Sequence, residues 1–125
     1  MESNDSNGIA INKVAIIDDN KYALRILKMY GNDAGFRCET FNSGAMCLEY
    51  LHAHMDIHLF LIDLYMPVMN GIELATCIKA FNNNNITLIA MVPEYDEEMT
   101  KELFDDTLLK PTTKSIILKL LNMYI

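Results

Sequence analysis

Four charged side chains stand where apolar runs end. Asp18 and Asp19 follow Val14-Ala15-Ile16-Ile17, Asp63 closes the run from Ile57 to Ile62, and Lys110 closes Thr107-Leu108-Leu109. Carboxylates gathered in one place repel and raise one another's pKa unless a cation joins them. Hard oxygen ligands at an open, wet site suit Mg2+, which keeps several waters and needs only one or two carboxylates besides phosphate oxygens. A carboxylate can also be a nucleophile and form an acyl phosphate. A lysine there is a point charge that steadies a phosphoryl group. Metal and lysine would act by positioning and charge neutralisation.

These side chains need a frame, and the hydrophobic pattern supplies one. Short runs apolar at every position suit strands buried on both faces. After Asp19, Ala23, Ile26, Leu27, Tyr30 and Ala34 recur at helical spacing and stop at Gly35, a good residue to end a helix. Phe36 to Phe41 reads as a second strand, and Ser43 caps a helix with Met46, Cys47, Tyr50 and Leu51. A loop from Leu64 to Gly71 leads into a helix with Leu74, Ile78 and Phe81 on one face. Asn82 to Asn85 is a loop. Ile86 to Val92 is a fourth strand, and Asp96 caps a modest helix with Met99 and Leu103. Thr113, Ile117, Leu120, Leu121 and Tyr124 form the last amphipathic helix. Five alternating strand–helix units imply a parallel sheet with helices on both faces. Ligands of such sheets bind outside the carboxyl ends of the strands, where all four charged residues fall.

The 125 residues amount to one domain. Ten basic residues against 17 acidic give a net charge of −7. That excludes a nucleic-acid-binding surface, which needs a basic patch, and disfavours an anionic membrane face. A cation, or a partner with a basic face, fits better. No apolar run is long enough to span a membrane. Residues 1–12 are polar, lack the regions of a signal peptide and read as a flexible tail. Cys38, Cys47 and Cys77 read as reduced, mostly buried thiols of a cytoplasmic protein.

Three segments carry a resemblance. Ile16-Ile17-Asp18-Asp19-Asn20, Leu61-Ile62-Asp63-Leu64-Tyr65-Met66-Pro67-Val68-Met69-Asn70-Gly71 and Leu109-Lys110-Pro111 resemble, in order and spacing, the response-regulator receiver domain of two-component signalling, over residues 13–125. The resemblance implies a flavodoxin-like α/β three-layer sandwich, with five parallel strands in the order 2-1-3-4-5 and five helices. It implies phosphoryl transfer to Asp63 from a histidine kinase or histidine phosphotransfer protein. It implies Mg2+ held by Asp19, Asp63 and the backbone carbonyl of Tyr65, with Asp18 close by. It also implies a cis peptide before Pro111. The domain would be a signalling element rather than an enzyme, limited to taking phosphate from a donor and slow autodephosphorylation. A downstream protein would bind the face of the fourth helix, fifth strand and fifth helix, bordered by Leu108, Lys110, Lys114 and a helix within 94–104.

The chain departs from that family at its switch positions. The family carries Ser or Thr at the end of the fourth strand, and alignment puts Val92 there. Thr87 would lie near the start of the strand, at the wrong end. The aromatic residue three places before the lysine is Thr107, and a position commonly glycine is Leu103. One lost hydrogen bond to a charged group costs about 1.5–3 kcal/mol, roughly one to two decades in rate if made only in the transition state. The nucleophile and metal ligands are retained. The expectation is a domain that accepts phosphate slowly, with weakened or rerouted output.

Plainer readings stand beside these. Single aspartates after strands are common turn formers and caps, and Asn20 reads as a helix N-cap. The Tyr65 side chain offers to shield Asp63 from water. Glu94, with Glu97 and Glu98, reads as a solvated acidic cluster. His52 and His54 cannot share a helix face, and with His58 they make no metal site. The nine methionines read mostly as core filler, with a docking patch as the alternative. The rival function is a phosphorylation-independent pseudo-receiver acting as a protein-interaction module, motivated by Val92 and Thr107. An aspartyl phosphatase ranks lower, because Leu64 and Tyr65 supply no second acid beside Asp63.

Overall fold

The computed structural model describes residues 13–54, 56–81 and 85–124. The tail expected over 1–12 and residues 82–84 of the asparagine loop lie outside the described residues. In chain order the elements are β1 Lys13–Ile17, α1 Lys21–Asp33, β2 Arg37–Phe41, α2 Gly44–Ala53, β3 Leu59–Asp63 and α3 Gly71–Phe81. They continue with β4 Thr87–Val92, α4 Glu97–Thr100, β5 Asp106–Leu109 and α5 Lys114–Met123. The strands form one parallel sheet in the order β2-β1-β3-β4-β5.

Side chains along a strand alternate between the two faces of the sheet. Ile16, Leu61, Met91 and Leu108 point to one face and pack with Leu24, Leu27, Ile117 and Leu121 of α1 and α5. Ile17, Ile62, Ala90 and Val92 point to the other and pack with Cys47, Leu51, Leu74 and Ile78 of α2 and α3. Both faces of these strands are buried, which is why β1, β3 and β4 read as continuous apolar runs. Side-chain caps fix the helix starts. Asn20 Oδ1 accepts from the Tyr22 and Ala23 N–H groups, Ser43 Oγ from Met46 N–H, and Thr113 Oγ1 from Ile116 N–H. Asn70 and Glu73 bond each other's backbone N–H reciprocally at the start of α3, at 3.0 and 2.9 Å.

Four expectations need correction. The buried stripe of α1 is Leu24, Leu27 and Gly31, while Ile26 is exposed. The α4 helix ends at Thr100, so Leu103 sits in the turn beyond it and packs against the core. Leu108 is buried against α1 and α5, on the face of β5 turned away from α4. Met66 and Met91 are core residues, but Met29, Met46, Met99 and Met123 are exposed. Of the thiols, Cys38 and Cys47 are buried and Cys77 is exposed.

Candidate phosphoacceptor site

Alternation aims the site. Asp18 is two residues past Ile16, Asp63 two past Leu61, and Lys110 two past Leu108. All three thus continue the α1/α5-side rows out of the carboxyl edge of the sheet. Ile17 and Ile62 are register partners, so the acidic ends of β1 and β3 lie side by side. One oxygen from each of Asp18, Asp19 and Asp63 lies within 4.8 Å of the others. Among the described residues no other cluster of His, Cys, Asp and Glu ligands is gathered this way.

The three carboxylates differ in surroundings. Asp18 is fully buried, accepts from Asn20 N–H at 2.9 Å and pairs with Lys110 Nζ at 2.5 Å. Asp63 is 5% exposed; its Oδ1 accepts from Tyr65 N–H at 3.2 Å, and its Oδ2 lies 3.8 Å from Lys110 Nζ. Asp19 is exposed. Burial pushes the Asp63 carboxyl up to about 7 and the charge of Asp18 adds to this, while Lys110 and the Tyr65 N–H pull it down. Burial therefore leads repulsion, a contribution that the sequence reading, which invoked repulsion alone, did not include.

This donor set fits a hard divalent cation. It is all oxygen, it opens to water at Asp19, and one lysine leaves its negative charge only partly balanced. Among the described residues no lysine or arginine besides Lys110 pairs with these carboxylates.

The other expected site residues are placed as follows. The Lys110–Pro111 peptide is cis. Tyr65 is half-exposed, and its hydroxyl lies 3.5 Å from Met99 Sδ, so the ring extends toward α4. Thr107 is half-buried on the α4 side of β5, lining a small hollow with Tyr95 and Thr100. Val92 is a correction. It is fully buried in the α2/α3-side core, on the face opposite Asp63. Two residues past Met91, the register partner of Asp63, and just beyond the end of β4, comes Pro93, which is exposed. His54 stacks on Tyr50 with ring centroids 4.2 Å apart, and His52 meets Phe81 edge-on.

Sequence reasoning missed two features. Gly71 is needed for space. A Cβ there would stand 2.5 Å from the Asp63 carbonyl oxygen and 2.7 Å from Leu64 Cα, both backbone atoms. The signal was the Asn-Gly at the start of α3. The second is a half-open groove of about 610 Å3 beside Lys110, lined chiefly by Ala23, Ile26, Leu27, Met91, Leu108 and Pro111. It lies against an exposed apolar stripe on α1, Tyr22, Ile26 and Met29.

The fold and this pocket define a class: an open, doubly wound α/β domain with an acidic, lysine-bearing site at the carboxyl edge of its sheet. The family model described as the response regulator receiver domain matches residues 14–122, and the chain belongs to that family. Over 115 residues, 90% of this chain, it is 31% identical to the autoinducer 1 sensor kinase/phosphatase LuxN of Vibrio campbellii. It is 29% identical over 119 residues to the transcriptional regulatory protein CitT of Halalkalibacterium halodurans, also over 90% of this chain. The chain spans only 13% of LuxN and 52% of CitT. Among solved structures, the Vibrio cholerae chemotaxis protein CheY4 superposes with a TM-score of 0.86 at 22% identity, covering 93% of this chain and 100% of that one. A response regulator receiver protein from Pseudomonas putida gives 0.82 at 27% identity, covering 92% and 98%. Receiver domains of this family are signalling domains that work with histidine kinases or phosphotransfer proteins. No described helix is long and apolar enough to cross a membrane.

Proposed function

We propose that this domain accepts a phosphoryl group on Asp63 from a phosphohistidine of a kinase or phosphotransfer protein, in the cytoplasm. The observation that carries the reading is a nearly buried Asp63 with two other carboxylates gathered about it and Lys110 Nζ 3.8 Å away. A lone buried carboxylate is costly; this constellation is useful only to something that brings positive charge and phosphate oxygens.

In the reaction an Asp63 Oδ attacks phosphorus, the P–N bond to the donor histidine breaks, and an acyl phosphate forms. Water later attacks phosphorus, the P–O bond breaks, and the Asp63 carboxylate and inorganic phosphate are released. Mg2+, held by Asp19, Asp63 and the Tyr65 carbonyl beside Asp18, would neutralise charge on the phosphoryl oxygens. Lys110 supplies a further positive charge on the same side of the sheet. The N–H of Tyr65 orients Oδ1, leaving Oδ2 on the lysine side. The apolar α1 stripe beside the groove suits a donor that must bring a helix-borne histidine to the pocket.

No hydroxyl from β4 and no aromatic at Thr107 serves the usual switch, so uptake is slow and output is rerouted. The pseudo-receiver reading keeps its support from those two positions. Incubation with Mg2+ and acetyl phosphate, followed by intact mass, separates the two readings. A gain of one phosphate by the wild type and none by Asp63→Asn is expected. No gain from acetyl phosphate or from a phosphorylated histidine phosphotransfer protein, with both proteins folded, would favour the constitutive module.

A further inference from the structure

The segment from Lys110 to Lys114 runs beside α1 and is tied to both ends of that helix by ion pairs. Lys110 Nζ bonds Asp18 Oδ2 at 2.5 Å just ahead of α1, and Lys114 Nζ bonds Asp33 Oδ2 at 3.1 Å at its last residue. Between the two pairs, helix and segment do not close on each other, and the groove of about 610 Å3 lies there. Ala23, Ile26, Leu27 and Tyr30 form one wall, Pro111 and Thr112 the other, and Met91 and Leu108 lie at the base. From Asn20 to Tyr30 the helix wall extends for about 15 Å. The lining contains no carboxylate, and its one cation, Lys110, is already bonded. One polar atom is left over. Thr112 Oγ1 is buried without a hydrogen-bond partner, and it is the only side-chain nitrogen or oxygen so placed among the described residues. A buried hydroxyl left unpaired is costly, so its position favours a group that can bond it.

We propose that this groove binds an uncharged, mainly apolar small molecule of two or so rings, with one hydrogen-bonding group that meets Thr112. The volume suits it, since small-molecule sites run from about 300 to 1,000 Å3 and are apolar with a few placed polar groups. Charge decides against other ligands. An anion would find a lysine already bonded, with the carboxylates of Asp18 and Asp63 behind it. A cation would find no carboxylate in the lining and would be drawn on to Asp18, Asp19 and Asp63. A partner's helix, about 10 Å across with its side chains, suits the open stripe of Tyr22, Ile26 and Met29 rather than a slot between helix and turn. The Thr112 hydroxyl can give or take a hydrogen bond, so an amine, hydroxyl or carbonyl on the ligand satisfies it. Tyr22 and Ile26 belong both to the groove and to the exposed stripe. A bound molecule and a protein partner on α1 therefore exclude each other. That consequence rests on the receiver reading; the site itself does not.

The probe is N-phenyl-1-naphthylamine, which is uncharged, carries one N–H between apolar rings and brightens on leaving water. Titrated into the full chain, it is expected to saturate at one per chain with a Kd on the order of 100 µM or below. Thr112→Val keeps the shape, removes the hydroxyl and is expected to weaken binding roughly three- to tenfold. Ile26→Trp, at an exposed position, is expected to fill the groove and weaken it more than tenfold. Met29→Ala, on the same stripe but outside the lining, is expected to leave it unchanged. Wild-type binding by Ile26→Trp, or an equal loss in Met29→Ala, would put the probe on the open helix face and overturn the proposal. Lack of saturable binding would overturn it too, and an unaltered Thr112→Val would overturn the class of ligand. Phosphate uptake is then timed with saturating probe. Slower uptake from a phosphorylated phosphotransfer protein is expected, with uptake from acetyl phosphate unchanged. Equal slowing of both would place the probe in the phosphoacceptor pocket and overturn the assignment, and slowing of neither would overturn the exclusion of a partner. Groove-dependent binding in a chain that takes phosphate from neither donor would remove the receiver reading and leave the site. Uptake without probe binding would do the reverse.

Discussion

Lys110 Nζ lies 2.5 Å from Asp18 Oδ2 and 3.8 Å from Asp63 Oδ2. The lysine is thus bonded to the fully buried carboxylate and meets Asp63 only at longer range. Removing it strands Asp18 with the Asn20 N–H as its remaining partner. Lys110→Ala is expected to cost about 1.5–3 kcal/mol of metal-free stability, read from urea unfolding. It also makes the pocket more negative, so Mg2+ should bind at least as tightly by calorimetry while phosphate uptake falls. Weaker Mg2+ binding would mean that the lysine holds the carboxylates in place rather than competing with the cation.

Asp63→Asn should act in the opposite direction on stability. It keeps the shape and removes one of three carboxylates whose oxygens lie within 4.8 Å, in a place only 5% exposed. The metal-free variant is expected to melt several degrees above the metal-free wild type by calorimetry. Mg2+ should raise the wild-type midpoint and move the variant little, because a ligand stabilises only the state that binds it. A variant less stable than wild type without metal would show that Tyr65 N–H and Lys110 already compensate the Asp63 charge.

The frame and the gathering of Asp18, Asp19, Asp63 and Lys110 were legible because both depend on coarse signals. Continuous apolar runs mark strands buried on both faces, and a charge that ends such a run marks the carboxyl edge. Phase was not legible. The α1 helix carries apolar residues on two faces, Tyr22, Ile26 and Met29 as well as Leu24 and Leu27, so spacing alone could not choose which one is buried. Val92 was misplaced for a related reason. A shift of one residue on a strand moves a side chain to the other face, and Pro93 marks where β4 ends but not which of its last residues faces the site. Leu108 was given to the α4 face on the strength of the resemblance alone, and β5, an edge strand of four residues, is too short to correct that by its own alternation.

Gly71 marks a close approach of two backbones. Gly71→Ala would drive a Cβ into the Asp63 carbonyl oxygen and Leu64 Cα, neither of which can rotate away. The start of α3 must then shift from β3, and Gly71 N–H must lengthen its 2.9 Å bond to Leu64 O. The expected loss is about 1–3 kcal/mol, the usual cost of overpacking, with phosphate uptake falling more than stability alone would explain. Gly44→Ala is the contrast. Its new Cβ meets the end of the flexible Met69 side chain first, so the loss should be smaller in the same urea titration.

The thiols give a pH prediction. Burial pushes Cys47 up to about 12 from an ordinary 9.0, and burial raises Cys38 as well. At pH 8 iodoacetamide is expected to modify exposed Cys77 alone, with all three thiols reacting only after unfolding. The sign for stability follows from linkage. The folded state holds the Cys47 proton more tightly than the unfolded chain, so this contribution is intact below pH 9 and fades as pH climbs from 9 toward 12. Cys47→Ala should lose less stability than wild type over that window. Fast modification of three thiols in the native protein would show that the α2 core opens readily.

The last prediction separates two neighbouring residues. Val92 occupies the aligned switch position yet is fully buried against α2 and α3, whereas Pro93 is exposed, just past the end of β4 and two residues beyond Met91, the register partner of Asp63. Val92→Thr should bury a hydroxyl among apolar side chains, at a cost of about 1–3 kcal/mol, and leave the rate of phosphate uptake unchanged. Pro93→Thr should cost little, because the site is exposed and the missing N–H is restored rather than lost. Its hydroxyl would stand on the phosphoryl side of the sheet and is expected to speed uptake from acetyl phosphate by about tenfold or more, the value of a hydrogen bond formed in the transition state. Stopped-flow or timed mass spectrometry on the two variants decides the matter. Acceleration in Val92→Thr and not in Pro93→Thr would mean that β4 changes its twist when Asp63 is phosphorylated, and that the buried face turns toward the site.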